Sequence, residues 1–179
     1  MKAILAAALI LYSVCTLAQT PEQRLFEALE EGKPLVAEGI VAGGGVKLDA
    51  RNKEKETPLH YAALHADSYF VDLLLAAKAG PEARNDDGES VLQWAVMTGN
   101  PLTAKQLLLG GADPQSVDLK GNTLLHAAAD GGYVEMVSAF LSLGLDARRK
   151  NRAGLRPIDV ARGRGYEEIV KLLEKYEKE

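Results

Sequence analysis

The chain has 179 residues, with 21 lysines and arginines against 25 aspartates and glutamates and a formal net charge of −4. A mildly acidic surface of this kind lacks the basic footprint that general nucleic-acid binders use to neutralise phosphates. With a single cysteine, Cys15, the chain can build neither an intramolecular disulfide nor a thiolate metal cage.

Residues 1–18 read as a secretory leader. Lys2 gives a positive start, Ala3 to Leu11 an uncharged apolar stretch, and Thr16-Leu17-Ala18 a small-residue exit, which predicts cleavage before Gln19. A membrane span is the competing reading, but Tyr12, Ser13 and Thr16 interrupt a stretch already shorter than the about 20 apolar residues a span needs. Lipid attachment at Cys15 fits poorly, because Val14 stands where such signals carry a small residue. Cleavage would remove Cys15 and Lys2, leaving no cysteine nucleophile and taking the formal charge from −4 to −5. An exported protein, periplasmic or secreted and without stable membrane insertion, is the expectation.

The remaining chain repeats itself. Thr57-Pro58-Leu59-His60-Tyr61-Ala62-Ala63 returns as Ser90-Val91-Leu92-Gln93-Trp94-Ala95-Val96, Thr123-Leu124-Leu125-His126-Ala127-Ala128-Ala129 and Arg156-Pro157-Ile158-Asp159-Val160-Ala161-Arg162, each 33 residues after the last. Each copy predicts a short helix, then a turn residue (Ala66, Gly99, Gly132, Gly165), then a second apolar helix. The second helices contain Tyr69, Phe70, Val71 and Leu73 to Leu75; Leu102 and Leu107 to Leu109; Val134, Met136, Val137, Phe140 and Leu141; and Ile169, Val170, Leu172 and Leu173. Asn100-Pro101 suits a helix start. Asp87-Gly88, Lys120-Gly121 and Ala153-Gly154 mark tight turns between units. Upstream, Leu25 to Gly32 and Asp49 to Asn52 form a divergent first unit with an extra residue near Gly43-Gly44-Gly45, and Glu174 to Glu179 give the last helix a polar outer face.

A fixed period of this length with a T-P-L-H-x-A core resembles the ankyrin repeat. The resemblance covers nearly all of residues 21–179. It implies an all-α solenoid of stacked helix-turn-helix units with β-turn fingers, in one domain over 19–179. Five units are expected at about 21–53, 54–86, 87–119, 120–152 and 153–179, the first and last serving as caps.

In that family the Thr and His three residues apart tie the finger to the helix, which assigns Thr57 with His60 and Thr123 with His126 to structure. His65 follows His60 by five residues and on a helix points away from a shared metal. The chain carries no HExxH, CxxC, GxSxG, P-loop or dinucleotide fingerprint, so no catalytic residue, metal or cofactor is expected.

The slot after the His position faces the concave groove in the family, and here it holds Tyr61, Trp94, Ala127 and Val160. Nearly one turn on come Leu64, Met97, Asp130 and Gly163, so two neighbouring units would present Tyr61, Leu64, Trp94 and Met97 together. Tyr133 and Tyr166 would extend the patch at its far edge. Two roles stay open for Trp94: a groove-exposed anchor, of the type that dominates interfaces, or packing against the small residues of the next unit. Arg149, Lys150 and Arg152 lead a basic cluster on the last finger, either solvated loop charges or a contact for an acidic partner surface. The resemblance implies a non-catalytic protein-binding scaffold acting as a monomer on another exported protein, as a chaperone-like or stabilising partner. The alternatives are an inhibitor or immunity-type protein that blocks a toxin or hydrolase, and a secreted effector acting on host proteins.

Overall fold

The structure, a computed structural model, describes residues 19–65 and 67–177. The leader expected at 1–18 lies outside them, as do the turn slot at Ala66 and the last two residues of the polar end.

Ten helices make up the described residues, and the only β pairing among these is an isolated antiparallel bridge between Arg84 and Ser90. They run in pairs: α1 (Pro21–Glu30) and α2 (Pro34–Gly43), α3 (Pro58–Ala63) and α4 (Tyr69–Ala76), α5 (Val91–Met97) and α6 (Pro101–Leu109), α7 (Leu124–Gly131) and α8 (Val134–Ser142), α9 (Pro157–Arg164) and α10 (Glu167–Tyr176). The odd-numbered inner helices stack on one another in chain order, and the even-numbered helices form an outer layer.

Local chemistry sets these boundaries. Thr20, Ser90 and Thr123 cap α1, α5 and α7 by accepting the backbone N–H of Gln23, Gln93 and His126. Proline opens α1, α3 and α9, where a missing N–H costs nothing. Asn100 caps α6 as its sequence suggests, taking the N–H groups of Leu102 and Thr103, both at 3.1 Å. Gly132 and Gly165 end α7 and α9 in the left-handed region, with φ of 76° and 80°.

Small residues let the inner layer close. Ala62, Ala95, Ala128 and Ala161 occupy one slot in successive units and are fully buried, with Leu59, Leu92, Leu125 and Ile158 beside them. The outer layer contributes Leu74, Leu107, Phe140 and Leu173. Not every apolar residue of the second helices reaches this core, because an outer helix buries one stripe only. Tyr69, Leu102 and Leu109 are 41%, 51% and 73% exposed. Between α6 and α8 a cleft of about 620 Å³ stays open, lined by Leu108, Leu109, Met136, Phe140 and Leu143.

The fingers form a second chain of ties. Asn52, Asn85 and Asn151 each accept two backbone N–H groups of their own finger through Oδ1, at 2.9 to 3.1 Å. Each finger then bonds the next through Asp86 N–H to Glu54 C=O (2.9 Å), Leu119 N–H to Asp87 C=O (2.8 Å) and Arg152 N–H to Lys120 C=O (2.9 Å).

Candidate binding groove

Two histidines fix the junction between fingers and inner helices. Nδ1 of His60 takes the backbone N–H of Thr57 at 3.1 Å, with the Thr57 hydroxyl 2.9 Å away. An amide can only donate, so the ring proton sits on Nε2, which points at the Glu89 carbonyl of the next finger at 3.4 Å. His126 repeats the arrangement with Thr123 (3.2 Å) and the Leu155 carbonyl (2.9 Å). Burial lowers both, His60 to about 4. In the unit between them Gln93 does the same work with an amide, accepting from Ser90 N–H at 3.0 Å and donating to the Asn122 carbonyl at 3.1 Å. His65 is separate: its Nε2 meets the Leu29 carbonyl and its ring lies against Phe70, with centroids 4.6 Å apart.

This junction carries the aromatic strip. Trp94 packs edge-on to the buried His60 ring (5.2 Å, 80°), and Tyr61 packs in the same way on Phe26 (5.3 Å, 78°). The two rings approach each other to 6.4 Å across the unit boundary. Both are half-buried, whereas Leu64 and Met97 are exposed by 49% and 53%. Trp94 is therefore neither fully exposed nor core, and it packs on His60 of the unit before it, where the alternative read from the sequence was the small residues of the next unit. One edge rests on the unit before it, and the remainder of the indole stays accessible.

Polar ties hold the rings at their outer rim. The Trp94 indole N–H donates to Glu89 Oε2 at 2.8 Å, and Asn52 Nδ2 donates to the Tyr61 hydroxyl at 3.2 Å. Burial, together with the neighbouring Glu56 carboxylate, raises the Tyr61 phenol further above its ordinary value, so it stays protonated. Beyond Trp94 the groove deepens into a cavity of about 420 Å³ between units 3 and 5, lined among others by Glu89, Met97, Asp118, Lys120 and Asp130.

Tyr133 does not extend the aromatic strip. Its ring lies across Gly99 and Gly131, so closely that a Cβ on either would run into it, and its hydroxyl donates to the Met97 carbonyl at 3.0 Å. It braces unit 4 against unit 3, and Tyr166 lies on Gly132 in the same way one unit later. The basic cluster at the far end divides. Arg156 pairs with Asp159 and Glu177, Arg162 with Glu174 and Arg164 with Asp130. Outside these pairs Arg149, Lys150 and Arg152 stand exposed on the last finger.

Sequence reasoning misses two parts of this surface, the Phe26 support beneath Tyr61 and the finger carboxylates Glu56 and Glu89. The carboxylates were within reach: Asn52, Glu56 and Tyr61 recur 33 residues later as Asn85, Glu89 and Trp94. Phe26 was not, because the first unit is out of register.

Among the described residues, no group of three or more histidines, cysteines, aspartates or glutamates is placed to hold a metal ion, and no helix is long and apolar enough to cross a membrane. None of the curated proteins matches the chain closely enough to lend it a function. A family model described as ankyrin repeats (three copies) matches residues 25–118 and again 95–179. Ankyrin repeats are generic modules for protein–protein interaction and are typically non-catalytic. Paired helices, bonded fingers and the matched span agree: the chain belongs to the ankyrin-repeat family.

Proposed function

We propose that this protein is a non-catalytic scaffold that binds and stabilises another exported protein through its concave groove and fingers. The observation that carries the reading is the strip formed by Tyr61 and Trp94 with the exposed Leu64 and Met97. Anchored aromatic rings beside exposed aliphatic side chains resemble the centre of a protein interface, where a few large residues supply most of the affinity. Rings already held by Glu89, Asn52, His60 and Phe26 lose little freedom on binding.

The test is capture from the envelope fraction of the source cells with wild-type protein and with Leu64→Asp and Met97→Asp. Both positions are exposed, so the melting temperature should hold while a specifically captured protein is lost. Capture that survives both substitutions refutes the groove. Deletion should lower the abundance of the captured protein, whereas release of a damaging activity would put inhibition in place of stabilisation. Export itself is tested by intact mass, with a mature chain beginning at Gln19 as the expected result and a full-length membrane-bound chain as the refuting one.

A further inference from the structure

One arrangement occurs twice along the groove. In unit 2, Asn52 Nδ2 holds the Glu56 carboxylate at 2.6 Å beside Tyr61, and in unit 3, Asn85 Nδ2 holds the Glu89 carboxylate at 2.9 Å beside Trp94. Glu89 Oε2 takes both the Asn85 amide and the Trp94 indole N–H, so the anion and the ring are locked to each other. Glu56, Glu89, Tyr61 and Trp94 are all half-buried. The motif stops there: the corresponding positions of unit 4 are Asp118, Asn122 and Ala127, and those of unit 5 are Asn151, Leu155 and Val160.

A carboxylate fixed against an accessible aromatic ring favours a side-chain cation, which gains a charge-assisted hydrogen bond from the acid and a cation–π contact from the ring. Both gains grow where neighbouring protein partly excludes water. The apolar surface of Leu64 and Met97 lies next to it, and Asp118 extends the acidic lining, Asp130 being taken by Arg164, with Lys120 as the one lysine or arginine among the residues lining the adjoining cavity. At the last finger the sign reverses to Arg149, Lys150 and Arg152.

We infer that the groove takes an extended, mixed basic and apolar segment of the protein partner, with an arginine or lysine resting on the accessible face of Trp94 and bonded to the Glu89 carboxylate beside it, and apolar neighbours on Leu64 and Met97. This rests on the reading of the groove as the partner surface and adds the partner's chemistry. Charge complementarity also sets the direction of the segment, since its basic part must lie over units 2 and 3, away from the basic last finger.

Trp94 is the only tryptophan, so its fluorescence reports occupancy of this site directly. The protein is titrated with an acetylated nonapeptide of alternating leucine and arginine, with the same peptide carrying citrulline for arginine, and with spermidine. The arginine peptide should change the Trp94 emission saturably and bind at least tenfold more tightly than the citrulline peptide. Glu89→Gln keeps an oxygen for the Trp94 and Asn85 donors and should abolish that preference with an unchanged melting curve. Glu135→Gln, on outer helix α8, should leave it intact. Equal affinity for the two peptides, a preference that survives Glu89→Gln, spermidine binding as tightly as the arginine peptide, or no response to any peptide would each overturn the inference. If the citrulline peptide binds equally well and Met97→Asp abolishes it, the groove reading stands and only the cation falls. If partner capture also ignores Met97→Asp, both fall.

Discussion

Replacing both junction histidines by glutamine should remove most of the protein's sensitivity to mild acid. His60 is fully buried and its Nδ1 receives a backbone N–H, so a proton added there would face a donor rather than an acceptor. The folded state thus holds the ring neutral, with its pKa lowered from 6.5 to about 4. A base with a depressed folded pKa leaves the unfolded chain binding more protons below pH 6.5, so stability is complete above that value and falls as pH drops towards 4. For His60 alone, at about 1.4 kcal/mol per pKa unit, the loss between pH 7 and pH 5 is about 2 kcal/mol. His126, lowered by the same burial, adds to it in the same direction. Asp159 is held below its ordinary value by Arg156 and Glu22 by the Lys47 amide, so their stabilisation is complete above their unfolded values and fades only at lower pH. Urea unfolding followed by circular dichroism at pH 7, 6 and 5 isolates the histidines. The wild type should lose at least about 2 kcal/mol over this range, while His60→Gln/His126→Gln, which copies the geometry of Gln93, should stay nearly flat. A wild type with no slope, or a double variant with the wild-type slope, would refute the reasoning.

Three further changes are expected to show in the same unfolding assay. Thr103 is fully buried with an unbonded hydroxyl, at the outer-helix position where other units carry Phe70, Met136 and Ile169, so Thr103→Val should raise stability by about 1 kcal/mol; a loss would mean that the hydroxyl has a hidden partner. Leu125→Ala, which empties a fully buried site in the central stack, should cost about 2–5 kcal/mol, and a neutral result would contradict the packing of the inner layer. Lys55 has a φ of 60° where the other fingers place Gly88, Gly121 and Gly154, so Lys55→Gly should stabilise by about 1 kcal/mol, despite losing an exposed ion pair with Asp86; destabilisation would show that the pair matters more than the backbone.

The period was legible because the inner-helix slots tolerate few residue types. A buried aliphatic and an Ala recur in all four copies, and a Thr or Ser cap with a His or Gln in three of them, so the order survives even where Thr57-Pro58-Leu59-His60 becomes Ser90-Val91-Leu92-Gln93. What a side chain meets across a unit boundary was harder to read. Tyr133 looked like an extension of the aromatic strip because the glycine it covers, Gly99, belongs to the preceding unit. Trp94 could not be divided between burial and exposure until the His60 ring beneath it was in place. The α6–α8 cleft depends on how two outer helices diverge, which Leu109 and Leu143 do not encode in their spacing.

The junction bonds all run one way, from a ring or amide on one inner helix to a carbonyl in the following finger: His60 to Glu89, Gln93 to Asn122 and His126 to Leu155. A unit copied or excised in frame therefore brings or removes one donor and one acceptor together, and the neighbours it leaves behind find compatible partners. Gene duplication can lengthen such a protein without creating an orphaned polar group, whereas a single substitution that removes the donor at a junction creates one at once. Growth is also easier between units than past the last helix. A unit added after Tyr176 would meet a helix face already turned polar, but one inserted between existing units would meet its own kind on both sides.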